Sequence, residues 1–395
     1  MSRAIFDRGL STWLSSHGVD LSRLVIRSFG ESVGTGLAAA SKLSVGEVAL
    51  RVPKQVWWPV SAEAARERCH NRDPAVVTRI DALAERLGGS RSLADSTLLA
   101  ADLALSVKSG RRLEESAKQV EPYLRTLPTT ALDVPLLWPD DLRRVLLRGS
   151  SCEAASEGQS RLSQALHGAL VGTDTPGTDA LSVHELRWGQ SVLLSRAHAG
   201  TGKPFALVPG LDLLNCPGYA PPSASVRFDS AAAAFELVVE RPVDAGEQLT
   251  IDYGEPKPHR LLRLYGFLPS DDAAGVTGSE HEEAVLQLLG AEGAAQARGA
   301  LPLRWERAGH VLLPLERAEQ HMVHVVGRSL EGQIERQSEG LAGCAAVLAA
   351  PGDSAADRTA KQRAALCQRL HEIERPLLHA AARQVASLLA ASPQE

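Results

Sequence analysis

Several of the signals that most directly betray a function are missing from this chain. No apolar run approaches the roughly 18 residues that a membrane-crossing helix needs, so nothing in the sequence is written to span a bilayer. The five cysteines (Cys69, Cys152, Cys216, Cys344 and Cys367) are odd in number and scattered. They form no CxxC or CxC pair, which argues against a cysteine-rich zinc cluster and fits free thiols in a reducing compartment. His321 and His324 stand three apart without a visible third ligand, so no metal is expected. There is no excess of positive charge: 42 Lys and Arg against 47 Asp and Glu leave a net charge of −5. A clustered basic footprint for nucleic acid is therefore not expected. No long Ser/Arg-rich leader precedes the amphipathic segment Ile5 to Leu14. Either the protein has no N-terminal address or the sequence starts at a mature end.

What is present describes a soluble globular protein, with 44% hydrophobic and 23% charged residues. A length of 395 residues is large for one core and implies two lobes. Ile5 to Ser16 reads as a helix stopped by His17-Gly18. Leu24 to Phe29 reads as a strand. The stretch GESVGTGLAAASKLSVGEVALRVP that follows reads as strand, turn, strand. Its Gly34-Thr35-Gly36 is no dinucleotide loop, because that loop must open a helix that receives the pyrophosphate. It is either a tight turn or a place where bare backbone approaches a cofactor. From about residue 61 to 160 the pattern is helical, with Leu99, Leu103 and Val107 on one face. Pro139-Asp140-Asp141 opens a capped helix. The turn-rich Gly172 to Thr178 reads as the exit from an insertion.

The densest stretch runs from Trp188 to Phe267. His184 to His198 reads as helix, and Arg196 on it is by itself compatible with a surface ion pair. Asp212 and Asn215 sit among leucines; they either find buried partners or cap a turn. Val226 to Phe228 and Phe235 to Glu240 read as paired strands. Leu249, Ile251 and Tyr253 share one face of an alternating run, while Gln248, Thr250 and Asp252 share the other, which predicts a half-buried strand. Tyr253 could be no more than a packed core tyrosine. Pro258 to Tyr265 reads as a short helix. Beyond Pro269 a linker is expected over Asp271 to Gly278, and then no sustained strand alternation. Helix is expected around Val285 to Leu289, His321 to Leu330 and Thr359 to Leu389. Ser354 and Asp357 resemble a capping box, and Pro376 should kink or split the last helix.

Taken in order, GTGLAA with GEVALRVPKQVWW, EPYLRTLP, LLWPDDL, WGQSVLLSRAH, LVPGLDLLNC, DAGEQLTIDYG and LYGF resemble the SET-domain protein methyltransferases. Within them the chain is most similar to the bilobal branch of Rubisco large-subunit and aldolase lysine methyltransferases. The resemblance covers about residues 5 to 268 in segments. It implies an α+β fold: a SET-domain mixed β fold with a pseudoknot, an inserted helical region, and an all-α C-terminal substrate-binding domain. The implied division is a SET lobe over 1–268, made of 20–60, the helical insertion 61–180 and 181–268, followed by 269–395. The implied cofactor is S-adenosylmethionine and the implied reaction is methyl transfer to a protein lysine. Tyr253 and Tyr265 then match the catalytic tyrosines. Val33, Gly34, Thr35, Gly36, Arg196, Asn215 and Cys216 match cofactor positions, and Asp212 and Phe267 match the substrate side.

The family usually has Asn-His at Asn215-Cys216, Ser-Asn near Glu255-Pro256-Lys257-Pro258, and Phe at His198. The implied partner is a protein such as plastid aldolase or the Rubisco large subunit. No nucleic acid, membrane or second subunit is expected, and the chloroplast stroma, or else the cytoplasm, is the expected place. Histidine methylation and a quiet SET-like binding module are the alternative readings.

Overall fold

The computed structural model describes residues 3–30, 33–58, 62–89, 91–108, 120–128, 132–171, 181–200, 203–269, 283–289, 297–307, 310–311, 315 and 320–391. The expected exit loop at 172–178 and the linker at 271–278 lie outside them. Contacts divide the chain into one unit of Met1–Leu132 with Arg161–Gly254 and a second of Asp133–Ser160 with Glu255–Glu395. The division expected from sequence fell at residue 268. Instead the stretch after Gly254 belongs with the second unit, as does part of the helical insertion.

In the first unit a helix, α1 (Arg3–Ser16), leads into β1 (Leu24–Ser28), which pairs antiparallel with β2 (Thr35–Ala39). The turn between them is closed by Phe29 N–H on Gly34 O at 2.8 Å and by Gly34 N–H on Gly30 O at 2.8 Å. Gly34 takes φ +81°, a left-handed value open to glycine at little cost. A second sheet has the order β3 (Val48–Pro53), β7 (Ala234–Val239), β6 (Ala224–Asp229). The alternation of β7 predicts one wet face, yet all six of its residues are buried. Glu236 is carried inside with them, at 1% exposure, opposite Arg51 on β3 and Arg227 on β6. Arg227 Nε donates to its Oε2 at 2.5 Å and Arg51 pairs with its Oε1. A carboxylate is tolerated there because both flanking strands supply a cation.

Helices α2 (Ala62–Arg72), α3 (Val76–Arg86), α4 (Arg91–Lys108) and the short α5 (Glu121–Leu124) form the insertion. Then come α6 (Asp140–Leu146), α7 (Glu153–Val171) and α8 (Val183–Arg196). Asp102 of α4 is fully buried and binds Arg68 and Arg72 of α2 at 2.7 and 3.0 Å, which ties these helices together. α4 and α8 meet backbone to backbone: a Cβ at Gly189 would lie 2.2 Å from Ala100 O. α8 starts on a capping box, with Ser182 and Glu185 satisfying each other's backbone N–H. It ends at Arg196, two residues before the expected end. The chain turns there into β4 (Ala197–Gly200), paired with β5 (Lys203–Leu207).

In the second unit α9 (Pro258–Tyr265) ends on Gly266 at φ +79°. The expectation that residues beyond 269 are all helical is wrong. β8 (Glu283–Leu289), β9 (Ala297–Arg307) and β10 (His310–Val311) form a sheet of order β10-β9-β8. EAVLQLL is built from helix formers, but Ala284 and Leu286 face a core with Leu303 of β9, and burial at a period of two overrides propensity. α10 (Gln320–Ala349) and α11 (Ala355–Ala391) pack over that sheet.

α11 runs through Pro376 as one helix, so of the expected kink or split the split does not occur. Leu370, Leu377, Leu378, Ala380 and Ala381 are all buried around the proline, so packing offsets the lost hydrogen bond. The capping box at Ser354 and Asp357 is formed. The buried side of α11 also holds two polar groups. His371 Nε2 sits 2.9 Å from Leu146 O, and Glu374 accepts the Ser151 N–H at 3.1 Å.

Candidate functional site

The site in the first unit is built around the 3-10 turn Leu211–Leu213 and the extended residues that follow it. Residues 247–251 run beside them. This segment is not the regular strand that its alternation predicts. Its pairing changes partner midway: Ala39 N–H binds Glu247 O at 2.9 Å and Leu249 N–H binds Leu37 O at 2.8 Å, both on β2. Ile251 N–H then binds Asn215 O at 3.0 Å. One strand face is not left wet either, since Thr250 on the supposedly polar side is 8% exposed. The segment thus links β2 to Asn215 and delivers Tyr253 to the end of the turn.

There the Tyr253 hydroxyl donates to the Leu214 carbonyl at 2.6 Å. One residue further, Asn215 Nδ2 donates to Thr35 O at 3.2 Å. Gly36 lies against both neighbouring amides: a Cβ built on it would stand 2.7 Å from Asn215 Nδ2 and 2.7 Å from Gln248 Nε2. The structure therefore brings together Thr35, Gly36, Asn215 and, through Leu214, Tyr253. Cys216 follows on the same stretch and is half-buried, while Val33 is 45% exposed at the open end of the turn. Gln248 was not singled out by the sequence. Its buried Nε2 finds no partner among the described residues.

Arg196 and Asp212 make the support beneath. Arg196 Nη1 donates to Asp212 O at 2.8 Å and lies 3.4 Å from its Oδ2. The Gly210 N–H reaches Oδ1 at 3.1 Å and the Tyr123 hydroxyl reaches Oδ2 at 3.2 Å. Burial pushes the Asp212 carboxyl up, against the pull of Arg196, Tyr123 and the Gly210 N–H. Asp212, expected on the substrate side, turns its carboxylate into the interior at 3% side-chain exposure. Arg196→Ala should leave that carboxylate without its cation and cost about 3 kcal/mol, read as a lower urea midpoint. Asp212→Asn in the same background should recover part of the loss.

Tyr265 and Phe267 belong to the second unit, one at the end of α9 and one just past it. Both are half-buried, with ring centroids 6.4 Å apart, and the Arg260 guanidinium stands 6.0 Å from the Tyr265 ring. His198 packs on Phe235 at 5.9 Å in the first unit. Among the described residues no three His, Cys, Asp or Glu side chains gather as a metal set; the side chain of His321 lies outside them. No described helix is long and apolar enough to cross a membrane.

Together these elements define a SET-domain fold: a thin set of small sheets, a helical insertion, and an extended segment that brings a tyrosine past an Asn-bearing turn. No protein-family model matches the chain. Its structure is similar to that of the Rubisco large-subunit methyltransferase described as bound to AdoMet, with a TM-score of 0.63 and 18% identity over 99% of this chain and 93% of that one. The same enzyme bound to sinefungin and monomethyllysine gives a TM-score of 0.62. In sequence the chain is 26% identical to human N-lysine methyltransferase SETD6 over 237 residues, 55% of this chain and 48% of that protein. The rat protein is 24% identical over 302 residues, 71% and 58% respectively. The chain thus spans about half the length of the human relative.

Whether S-adenosylmethionine suits the first-unit site is tested by Gly36. Without a side chain it leaves backbone open beside two carboxamides, one of them with an unused donor, which fits a zwitterionic ligand rich in acceptors. Gly36→Ala should keep the fold, since its Cβ meets three side chains, the amide ends of Asn215 and Gln248 and the Phe29 ring at 3.2 Å, and no backbone. It should raise the cofactor Kd about 30-fold, measured by calorimetric titration.

Proposed function

We propose that this chain is an S-adenosylmethionine-dependent protein-lysine N-methyltransferase. The observation that carries the reading is the Tyr253 hydroxyl fixed on Leu214 O at 2.6 Å, one residue from the Asn215–Thr35 contact that Gly36 backs. Val33 to Gly36, Asn215, Cys216 and Gln248 would hold the cofactor, with Arg196 supporting that surface from below. When bound, S-adenosylmethionine supplies a methyl group on a sulfonium that is already a leaving group.

The protein then needs no nucleophile of its own. Its tasks are alignment, exclusion of water and access to an uncharged amine. Alignment can be worth about 7–11 kcal/mol. Tyr253, with its hydroxyl hydrogen directed at Leu214 O, keeps its oxygen lone pairs in a fixed direction, which suits weak CH···O contacts to a polarised methyl group. A phenol with a reference pKa of about 10 is a poor base at neutral pH, so its role is orientation. Lysine, with a reference pKa of about 10.4, attacks only as the free amine, and desolvation beside aromatic rings favours that form. We assign Tyr265 and Phe267 to that task. The cation–π attraction of an aromatic face for the ammonium form works against it, so desolvation must prevail.

For the substrate we propose a non-histone protein such as plastid aldolase or the Rubisco large subunit, acted on by a monomer in the chloroplast stroma. The likeness to the Rubisco enzyme supports this choice. The test is titration with S-adenosylmethionine followed by labelled-methyl transfer into plastid and cytosolic extracts. Saturable binding and a labelled plastid protein are expected. Absence of saturable binding would overturn the activity, and labelling confined to cytosolic proteins would overturn the substrate.

A further inference from the structure

Tyr123 is the one fully buried tyrosine of the chain's four, and the reaction as described makes no use of it. It stands on the four-residue α5, in the helical insertion, far in sequence from the turn it touches. Its segment is tied down at Pro128, where the Trp188 indole N–H of α8 donates to the carbonyl at 2.8 Å, and is braced internally by Thr126 Oγ1, which donates to Tyr123 O at 2.6 Å. The Tyr123 hydroxyl donates to Asp212 Oδ2 at 3.2 Å.

The path from there to Tyr253 is short and made of hydrogen bonds. Asp212 is held on four sides: by Tyr123, by Arg196 at both its carbonyl and its carboxylate, and by the Gly210 N–H. Those bonds fix the 3-10 turn, in which Leu214 N–H binds Leu211 O at 3.1 Å. The turn aims the Leu214 carbonyl, and that carbonyl accepts the Tyr253 hydroxyl. A phenol O–H flips between two orientations in the ring plane, so the direction of its lone pairs is set by where Leu214 O points. A carbonyl in the connection between β5 and β6 gains that precision from what lies beneath it.

We propose, on the basis of the methyltransferase reading, that Tyr123 is a positioning residue for Tyr253. It acts through Asp212 and the Leu214 carbonyl, so that the helical insertion sets the aim of the reactive phenol. Burial alone would also explain an apolar ring at position 123. It would not explain a hydroxyl placed on the carboxylate of the turn, since Phe fills the same space without a polar atom to satisfy.

The test is Tyr123→Phe, a change that keeps the ring, made alone and with Tyr253→Phe. Methyl transfer is measured together with NMR of protein labelled with carbon-13 at the tyrosine Cζ. The single variant should lose about tenfold in kcat, with KM and cofactor Kd changed less than about twofold. In the Tyr253→Phe background the same change should cost nothing further, because the hydroxyl it aims is gone. The Tyr253 resonance, assigned by its absence in Tyr253→Phe, should shift in Tyr123→Phe. Additive losses in kcat, or a Tyr253 resonance that stays in place, would overturn the proposal. If the wild type transfers no methyl group, the enzyme reading fails, and the resonance alone still decides whether the two tyrosines are coupled.

Discussion

Replacing Tyr253 by Phe is expected to lower methyl transfer by about 10²–10³-fold while leaving the affinity for S-adenosylmethionine within about threefold. The asymmetry follows from what the hydroxyl touches. The hydroxyl donates to Leu214 O at 2.6 Å, and the surfaces assigned to the cofactor are built from other residues: Gly36, Asn215 and Gln248. Deleting the oxygen leaves those surfaces intact. On the proposed reading it removes the atom assigned to orient the transferred group, and an interaction realised mainly in the transition state is lost from kcat before it is lost from binding. Single-turnover rates and calorimetry on the same preparations separate the two quantities. Equal rates in the two proteins would remove Tyr253 from the mechanism. Equal losses in rate and affinity would make it a binding residue.

Glu374→Gln should be the most pH-sensitive change in the chain. Burial pushes the Glu374 carboxyl up to about 8, although the Ser151 side chain and N–H pull the other way. In the unfolded chain the same group titrates near 4.3, roughly the value for a free glutamate. The folded protein therefore keeps a proton that the unfolded chain releases. The stability this group contributes is whole below about pH 4 and is lost as pH rises toward and through about 8. Each unit inside that window is worth about 1.4 kcal/mol, so the full swing is of the order of 5 kcal/mol. Glutamine carries no charge at any of these values. Urea unfolding should find the variant more stable than wild type at pH 8.5, with the gap narrowing on acidification and closing at about pH 4. Parallel curves for the two proteins would contradict the buried, protonated state.

The same residue shows why part of the structure was hidden in the sequence. The stripe Leu366, Leu370, Ile373, Leu377 marks a helix correctly. The residues that α11 buries nevertheless include His371 and Glu374, because Leu146 and Ser151 offer them partners from distant parts of the chain. No periodicity in hydrophobicity can report a partner more than 200 residues away. β8 was read as helix for a related reason: Ala, Leu, Gln and Glu favour helix locally, and only pairing with β9 makes strand the better burial.

In the site, the polar residues among leucines at 212 and 215 were legible, since such groups need bonds. So was the glycine pair at 34 and 36, from the strands around it. Gln248 and Tyr123 were not. Gln248 sits in an alternation that predicts a solvent-facing side, and Tyr123 lies in EPYLRTLP, where nothing marks its ring as buried or its hydroxyl as engaged.

The missing side chain at Gly189 bears on how the helical insertion could ever be altered. Where two helices touch through bare main chain, with Ala100 O filling the place a methyl group would need, neither can rotate or slide by even part of a turn without collision. The insertion is thus no detachable ornament grafted onto an older sheet. A shortened protein engineered without it would bare the face of α8 at Gly189 that Ala100 now covers.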